Sequence, residues 1–252
     1  MKLHTYFINL ADSTDRGASL QSELDRVNLV AARIDAVDGR GVNPLDFEAY
    51  NHQRTVNRHA RGLTGGEVAC YLSHIEALRA FAESDADIGL ILEDDAAFSP
   101  NFSSEISDIL SAVERGTAWD VLNLTETRSD WRKPMAETGS NSIYRAYYFP
   151  MLATANLWSR QGAEHFLKSK YARQIAGPFD TELRSFCARR GLGLSLETPI
   201  VTPSGAESDI DASELTRANL STPNKRRPIK PRLVRHFPDY LNAWMRMHFT
   251  GV

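Results

Sequence analysis

One short stretch constrains this chain more than any other. Ile88-Gly89-Leu90-Ile91-Leu92 carries no polar side chain and stops abruptly on Glu93-Asp94-Asp95. Five such residues are too few for a core helix, and they show no alternation of apolar and polar positions. That is the pattern of a strand covered on both faces. Strands of this kind need helices packed on both sides of a sheet, so the run points to an α/β fold. In such sheets ligands collect beyond the carboxyl ends of the strands, where the three carboxylates would stand.

The surrounding sequence supplies the helices and strands. Leu3 to Leu10 reads as a buried strand, and Asp12 to Asp15 offers capping residues for a helix from about Asp15 to Val27. A strand over Ala31 to Val37 closes on the turn dipeptide Asp38-Gly39. Residues 40–62 read as a loop with a short helix near Pro44 to Tyr50. Thr64-Gly65-Gly66-Glu67 fits a capping box, and Val68, Tyr71, Leu72, Ile75, Leu78 and Phe81 then recur at helical spacing to about Glu83. Ser99-Pro100 should open a helix reaching Glu114, with Ser as cap and Pro in its first turn. Strands are expected at Trp119–Leu124, Ser142–Phe149, Leu152–Trp158 and Leu192–Leu196. Helices are expected at Gln161–Ser169 and Asp180–Arg190, the latter stopped by Gly191. This alternation predicts a mostly parallel central sheet flanked by helices.

Composition enters through charge. The chain has 252 residues and a net charge of -3, but residues 222–252 carry seven basic groups against Asp239 alone, which is +6 and leaves -9 for the remaining 221 residues. An acidic body argues against a nucleic-acid binder. Two cysteines without a CxxC imply neither a disulfide framework nor a zinc ribbon, and a reducing, cytoplasmic setting is expected. The first residues lack the pattern of a signal peptide, and no run of 18 apolar residues is present.

Three adjacent carboxylates repel one another, and a cation relieves that repulsion. Oxygen ligands favour Mg²⁺ or Mn²⁺. In an extended chain residues 93 and 95 share a side and 94 faces away, so Glu93 and Asp95 would hold the ion. A solvated acidic turn is the plainer alternative.

Four segments together resemble glycosyltransferase family 25, the bacterial lipopolysaccharide and lipooligosaccharide sugar transferases related to procollagen galactosyltransferases. They are Phe7-Ile8-Asn9-Leu10 with Asp12, Asp15 and Arg16; Ala36-Val37-Asp38-Gly39; Leu63 to His74 with its Gly-Glu, Cys and Ser-His elements; and Leu90-Ile91-Leu92-Glu93-Asp94-Asp95. Gly177-Pro178-Phe179-Asp180 is a weaker fifth match. The resemblance implies a GT-A-like single domain over residues 1–201, a UDP-sugar donor, often UDP-galactose, a divalent metal, and transfer with inversion to a lipopolysaccharide or other surface-glycan acceptor, lipid-linked or free. It places Asp95 on the metal, Glu93 on the metal or the donor ribose, and Asp94 beside the donor. Asn9, Leu10 and Arg16 would hold the nucleotide, Asp38 and Gly39 the base or ribose, and His74 the donor or metal.

An inverting transfer needs a base to deprotonate the acceptor hydroxyl. Asp180 is the first candidate and Glu182 the second, although acids at a helix start also serve the helix dipole. Two other readings stay open. One is a non-catalytic family member that binds a nucleotide-sugar or acts as a scaffold. The other is a sugar nucleotidyltransferase, although the Gly-rich phosphate loop usual there is not evident.

Residues 202–224 read as a linker and 225–252 as a basic, amphipathic tail. Six basic residues lie between Lys225 and Arg235, followed by Phe237, Tyr240, Leu241, Trp244, Met245, Met247 and Phe249. Such a tail suits either the anionic inner face of a bacterial inner membrane or a docking site on the body.

Overall fold

A computed structural model describes residues 1–126, 131–205 and 232–249, with only the backbone of 232–237. Its first half contains β1 (Leu3–Asn9), α1 (Thr14–Arg26), β2 (Ala31–Asp35), a 3₁₀ turn at Pro44–Asp46, α2 (His52–His59), α3 (Gly65–Glu83), β3 (Ile88–Glu93), β4 (Ala96–Phe98), α4 (Phe102–Arg115) and β5 (Val121–Asn123). Then follow β6 (Arg132–Glu137), β7 (Ser142–Ala146), β8 (Ala155–Ser159), α5 (Arg160–Lys168), α6 (Lys170–Arg173), α7 (Phe179–Arg190), β9 (Gly193–Leu196), β10 (Val201–Pro203) and α8 (Arg232–Phe249).

Eight strands form one sheet in the order β2-β1-β3-β8-β5-β9-β7-β6. The pairings give β7 and β8 one direction and the other six strands the opposite one, so the sheet is mostly parallel. Its side chains alternate between two cores. Phe7, Ile88, Leu90 and Leu92 point to the side covered by Leu20 and Leu24 of α1 and Ile106 and Ile109 of α4. Tyr6, Ile8 and Ile91 point to the side covered by Val68, Tyr71 and Ile75 of α3, Phe166 of α5 and Phe186 of α7. The unbroken apolar run of β3 thus reflects burial on both faces, and its five apolar positions are all buried.

α3 forms where its cap predicts. Thr64 Oγ1 accepts from the Glu67 amide at 3.1 Å, and Glu67 Oε2 accepts from the Thr64 amide at 2.9 Å. Thr64→Ala is expected to cost about 1 kcal/mol, read as a lower urea midpoint at unchanged slope. α7 ends on Gly191 in the left-handed region, at φ 69°, a conformation glycine adopts without strain.

Several elements differ from the sequence reading. Residues 40–62 hold a full helix, α2, capped by Asn51 Oδ1 accepting from the Arg54 amide at 2.9 Å. It has no apolar stripe to reveal it, and long-range contacts hold it instead. α4 starts at Phe102 behind Asn101 rather than at Pro100, because the Ser99 hydroxyl is bonded to the Glu105 side chain and does not cap. β6 carries Pro134, which an edge strand tolerates because its outer amides need no partner. β4 and β10 pair antiparallel over three residues each, too few to show a period. Residues 206–224 of the expected linker and 225–231 and 250–252 of the tail lie outside the described residues. No described helix is long and apolar enough to cross a membrane.

Candidate active site

The carboxyl ends of β1, β2 and β3 meet the first half of α3 in a cleft enclosing about 160 Å³. A space of this size takes a single aromatic ring, so anything larger than a base must extend into the open mouth. Asn9, Leu10, Arg16, Asp38, Gly39, His74, Glu93, Asp94 and Asp95 all line it. They come from five separate stretches, brought together by the parallel strands β1, β2 and β3 and by α3 packed across them.

One wall depends on the Asp38-Gly39 turn pressing against the start of α3. A Cβ on Gly39 would lie 2.2 Å from the Gly65 carbonyl oxygen, so only glycine allows this approach. Ser73 of α3 fixes the same loop, its hydroxyl accepting from the Val37 amide at 2.9 Å. Arg40 then reaches back across the mouth to Asp38, at 2.6 Å, and to Asp12, at 2.7 Å. Its hydrogen bonds hold the Asp38 carboxyl down at about 2.

The acidic triplet does not continue the strand alternation. Glu93 is the last residue of β3, and Asp94 and Asp95 turn out of it. Asp94 therefore faces inward rather than away: its Oδ2 accepts from Asn9 Nδ2 at 2.8 Å and its Oδ1 from Arg16 Nε at 2.9 Å. Asn9 also donates to the Ser13 carbonyl at 3.0 Å. These bonds pin the loop after β1 to the end of β3. They set Arg16 on a carboxylate within the protein rather than leaving it extended toward a phosphate.

Glu93 Oε1 meets His74 Nε2 at 3.0 Å, and the imidazole stacks on Phe179 with ring centroids 4.0 Å apart and planes 6° apart. Asp95 differs from both neighbours. Its Oδ1 is buried with no hydrogen-bond partner. Burial raises its pKa to about 6, helped by the negative charges of Glu93 and Asp94 and opposed by Arg16. A buried carboxylate oxygen without a donor, beside a second carboxylate, fits a divalent cation. Cys70, His74 and Glu93 also converge, with ligand atoms within 4.8 Å of one another. Burial and the nearby carboxylates push the Cys70 thiol well above its ordinary range, so it stays protonated and is the poorer ligand. Mg²⁺ or Mn²⁺ would favour carboxylate oxygens such as those of Asp95 and Glu93, which line the same cleft.

A family model described as glycosyltransferase family 25 (LPS biosynthesis protein) matches residues 2–175, more than half of the chain, and includes all nine candidate residues that line the cleft. The chain belongs to glycosyltransferase family 25. A glycosyltransferase 25 family member of Aedes aegypti is 28% identical over 177 residues, covering 66% of this chain and 28% of that protein. Procollagen galactosyltransferase 2 of Mus musculus is 23% identical over 134 residues, covering 51% of this chain and 21% of that one. The chain thus spans about a quarter of the length of these curated relatives. Among solved structures, a glycosyltransferase involved in glycosylation of the major capsid of PBCV-1 shares 9% identity over 85% of this chain and 98% of its own, with a TM-score of 0.48.

In this family 25 chain the two candidate bases part company. Asp180 opens α7 next to Phe179, which stacks on His74, so it stands close to the cleft without lining it. It accepts from the Thr181 amide at 2.6 Å, and burial raises its pKa. Glu182, in contrast, is 1% exposed and ion-paired with Arg58 of α2. Enclosed in that way it cannot meet an acceptor hydroxyl, and its role is internal. Arg40, Ser73, Phe179 and Arg58 all shape the site or its support; Ser73 and Phe179 lie in segments that carry the family resemblance, whereas Arg40 and Arg58 lie in none of them. Arg40 follows a turn and Arg58 sits in an unpatterned helix, so neither has a local signal.

Proposed function

We propose that the cleft binds a UDP-sugar together with Mn²⁺ or Mg²⁺, and that the protein transfers a hexose, galactose first among the choices, with inversion to a lipopolysaccharide, lipooligosaccharide or related surface-glycan acceptor. One observation carries this reading: the buried, unpartnered Asp95 oxygen beside Glu93, at the carboxyl end of a central strand and at the foot of a base-sized cleft. The ring-sized inner space suits uracil, and the open mouth suits the ribose and diphosphate. Arg40 stands at that mouth, where its guanidinium can meet a diphosphate oxygen. When bound, the ion neutralises charge on the leaving diphosphate.

The rest falls to side chains of this chain. Asp94, Asn9 and Arg16 keep the triplet rigid, so Asp95 and Glu93 are held ready rather than recruited. Phe179 fixes the His74 ring, and His74 fixes one oxygen of Glu93. Asp180 takes the proton of the acceptor hydroxyl as that oxygen attacks the anomeric carbon. Its raised pKa moves it toward the range where a base is effective at neutral pH.

The test is hydrolysis and transfer screened donor by donor, with and without Mn²⁺. Turnover of one UDP-hexose that disappears with chelator is the expected result. Absence of turnover and of UDP binding with every donor would overturn the reading in favour of a scaffold. Asp180→Asn should leave donor affinity unchanged and lower transfer by roughly 10²- to 10⁴-fold. Near wild-type turnover would remove Asp180 from the mechanism.

A further inference from the structure

α8 docks on the body, one of the two arrangements its sequence allows. Tyr240 stacks on Tyr148 with ring centroids 4.4 Å apart, and Ala243 is fully buried. Trp244 and Phe249 remain 41% and 72% exposed. The polar centre of the contact is Asp239, itself 3% exposed. It accepts from Ser185 Oγ of α7 at 2.8 Å and pairs with Arg58 of α2 at 3.3 Å. The same guanidinium donates to Glu182 and Ser185. One cation thus serves two buried carboxylates that belong to two different helices.

Glu182 and Ser185 lie about one and two turns after Phe179, the residue that opens α7. Leu183 and Phe186 bury α7 against the sheet, but burial of apolar surface is non-directional and tolerates a slide along the helix axis. A guanidinium fork is directional, so its bonds fix that axial position. The chain entering α7 is tied to the same side: the Ile175 amide donates to the Ala49 carbonyl, and the Ile175 carbonyl accepts from the Asn51 amide, both at 2.8 Å. Asn51 caps α2, the helix that carries Arg58. The first turn of α7 then meets the cleft. Phe179 stacks on His74 with centroids 4.0 Å apart, and His74 Nε2 meets Glu93 Oε1 at 3.0 Å.

We infer that Arg58, through Glu182 and Ser185, and Asp239, through Arg58, are positioning residues that set the axial place of α7, and with it the place of Phe179 against His74 and of Asp180 beside the cleft. The part that concerns Asp180 rests on the transfer reaction proposed above, and the part that concerns Phe179 does not. A misplacement of about 1 Å is enough to slow a reaction by roughly 10²-fold.

The test uses the full chain with ¹³C-labelled histidine, in Mg²⁺, each variant being read well below its unfolding midpoint. The His74 ring signals are assigned by their loss in His74→Gln. A ring stacked face to face shifts them, so they report the distance to Phe179. Arg58→Lys keeps the charge and loses the fork, and Asp239→Ala removes the anchor of α8. Both should move the His74 signals toward those of an unstacked ring. Both should also lower kcat for UDP-galactose hydrolysis roughly tenfold with the donor KM within about twofold. Ile106→Val, on the opposite face of the sheet, costs about 1 kcal/mol and should leave signals and kinetics in place. His74 signals unmoved in both variants, or moved as far by Ile106→Val, would overturn the inference. So would a loss of hydrolysis that comes from a higher KM, which places the damage in the donor cleft instead of α7. If the wild type hydrolyses no UDP-hexose, the proposed reaction fails, and the ring signals still decide the placement of α7.

Discussion

Asp95→Asn is expected to lower transfer by roughly a thousandfold and, at the same time, to stabilise the metal-free protein. The first effect removes the carboxylate whose Oδ1 has no hydrogen-bond donor and is proposed to meet the cation, and metal stabilisation of a leaving diphosphate amounts to several kcal/mol. The second follows from the sign of the pKa shift. Burial raises the Asp95 pKa to about 6 from its ordinary 3.8. Between those values the native state holds a proton that the unfolded chain has released, so stability falls as pH rises through the window. Above pH 6 the penalty is fully present; below pH 4 it is absent. Asn carries no charge and escapes it. Urea unfolding without metal should show the variant about 1 to 2 kcal/mol more stable at pH 7, discounted for the solvent that still reaches the side chain, and no different at pH 3.5. Equal stability at both pH values would mean that Asp95 is not desolvated as described. Retained metal-dependent turnover would move the ion to another set of ligands.

Arg58→Ala should produce the largest loss of stability. One guanidinium serves Glu182, Ser185 and, at 3.3 Å, Asp239. Both carboxylates are buried, at 1% and 3% exposure. Removing the cation paired with both leaves two carboxylates in a low dielectric, and breaking a buried pair in this way costs about 3 to 5 kcal/mol. For a chain of this size that is a fall of roughly 10 °C in Tm. Glu182 already has a pKa raised by burial, with Arg58 pulling it down. Without Arg58 the Glu182 carboxyl holds its proton more tightly, so the deficit should shrink as pH falls toward 4. Glu182→Gln combined with Arg58→Ala should recover part of the loss. A deficit below 1 kcal/mol, or one independent of pH, would show that the network is solvated. Since Arg58 joins α2, α7 and α8, the variant should also release α8, read as faster proteolysis after Arg232 or Arg235.

The two sites differ in how far the chain announces them. Glu93 to Asp95 is visible because an apolar run must end somewhere, and a sheet places that end at a ligand-binding edge. The Thr64 cap and the helical spacing after it are local, and both appear in the structure as read. α2 was not legible, because its stability comes from Asn51 at its start and from Arg58 reaching Glu182, 124 residues away. β6 was hidden by Pro134, which a strand accepts only at a sheet edge, and an edge is a property of the whole sheet. The facing of the triplet was misread for the same reason. Alternation along a strand puts Asp94 opposite Asp95, but the chain leaves the strand at Glu93, and Asn9 and Arg16 then draw Asp94 inward.

By itself, then, the sequence determined what local patterns encode: strands and helices in alternation, the capped helix, the acidic edge, and a charge division between body and tail. Only the tertiary structure decided how each carboxylate is used, because that depends on partners distant along the chain. Asp94 is bound by Asn9 and Arg16, Glu182 is enclosed by Arg58, and Asp95 keeps an oxygen with no donor. The same holds for α8, where burial of one stripe left the other, with Trp244 and Phe249, facing outward. Desolvation and charge pairing are three-dimensional quantities, and they separate a carboxylate held by a cation or an amide from one whose oxygen has no donor.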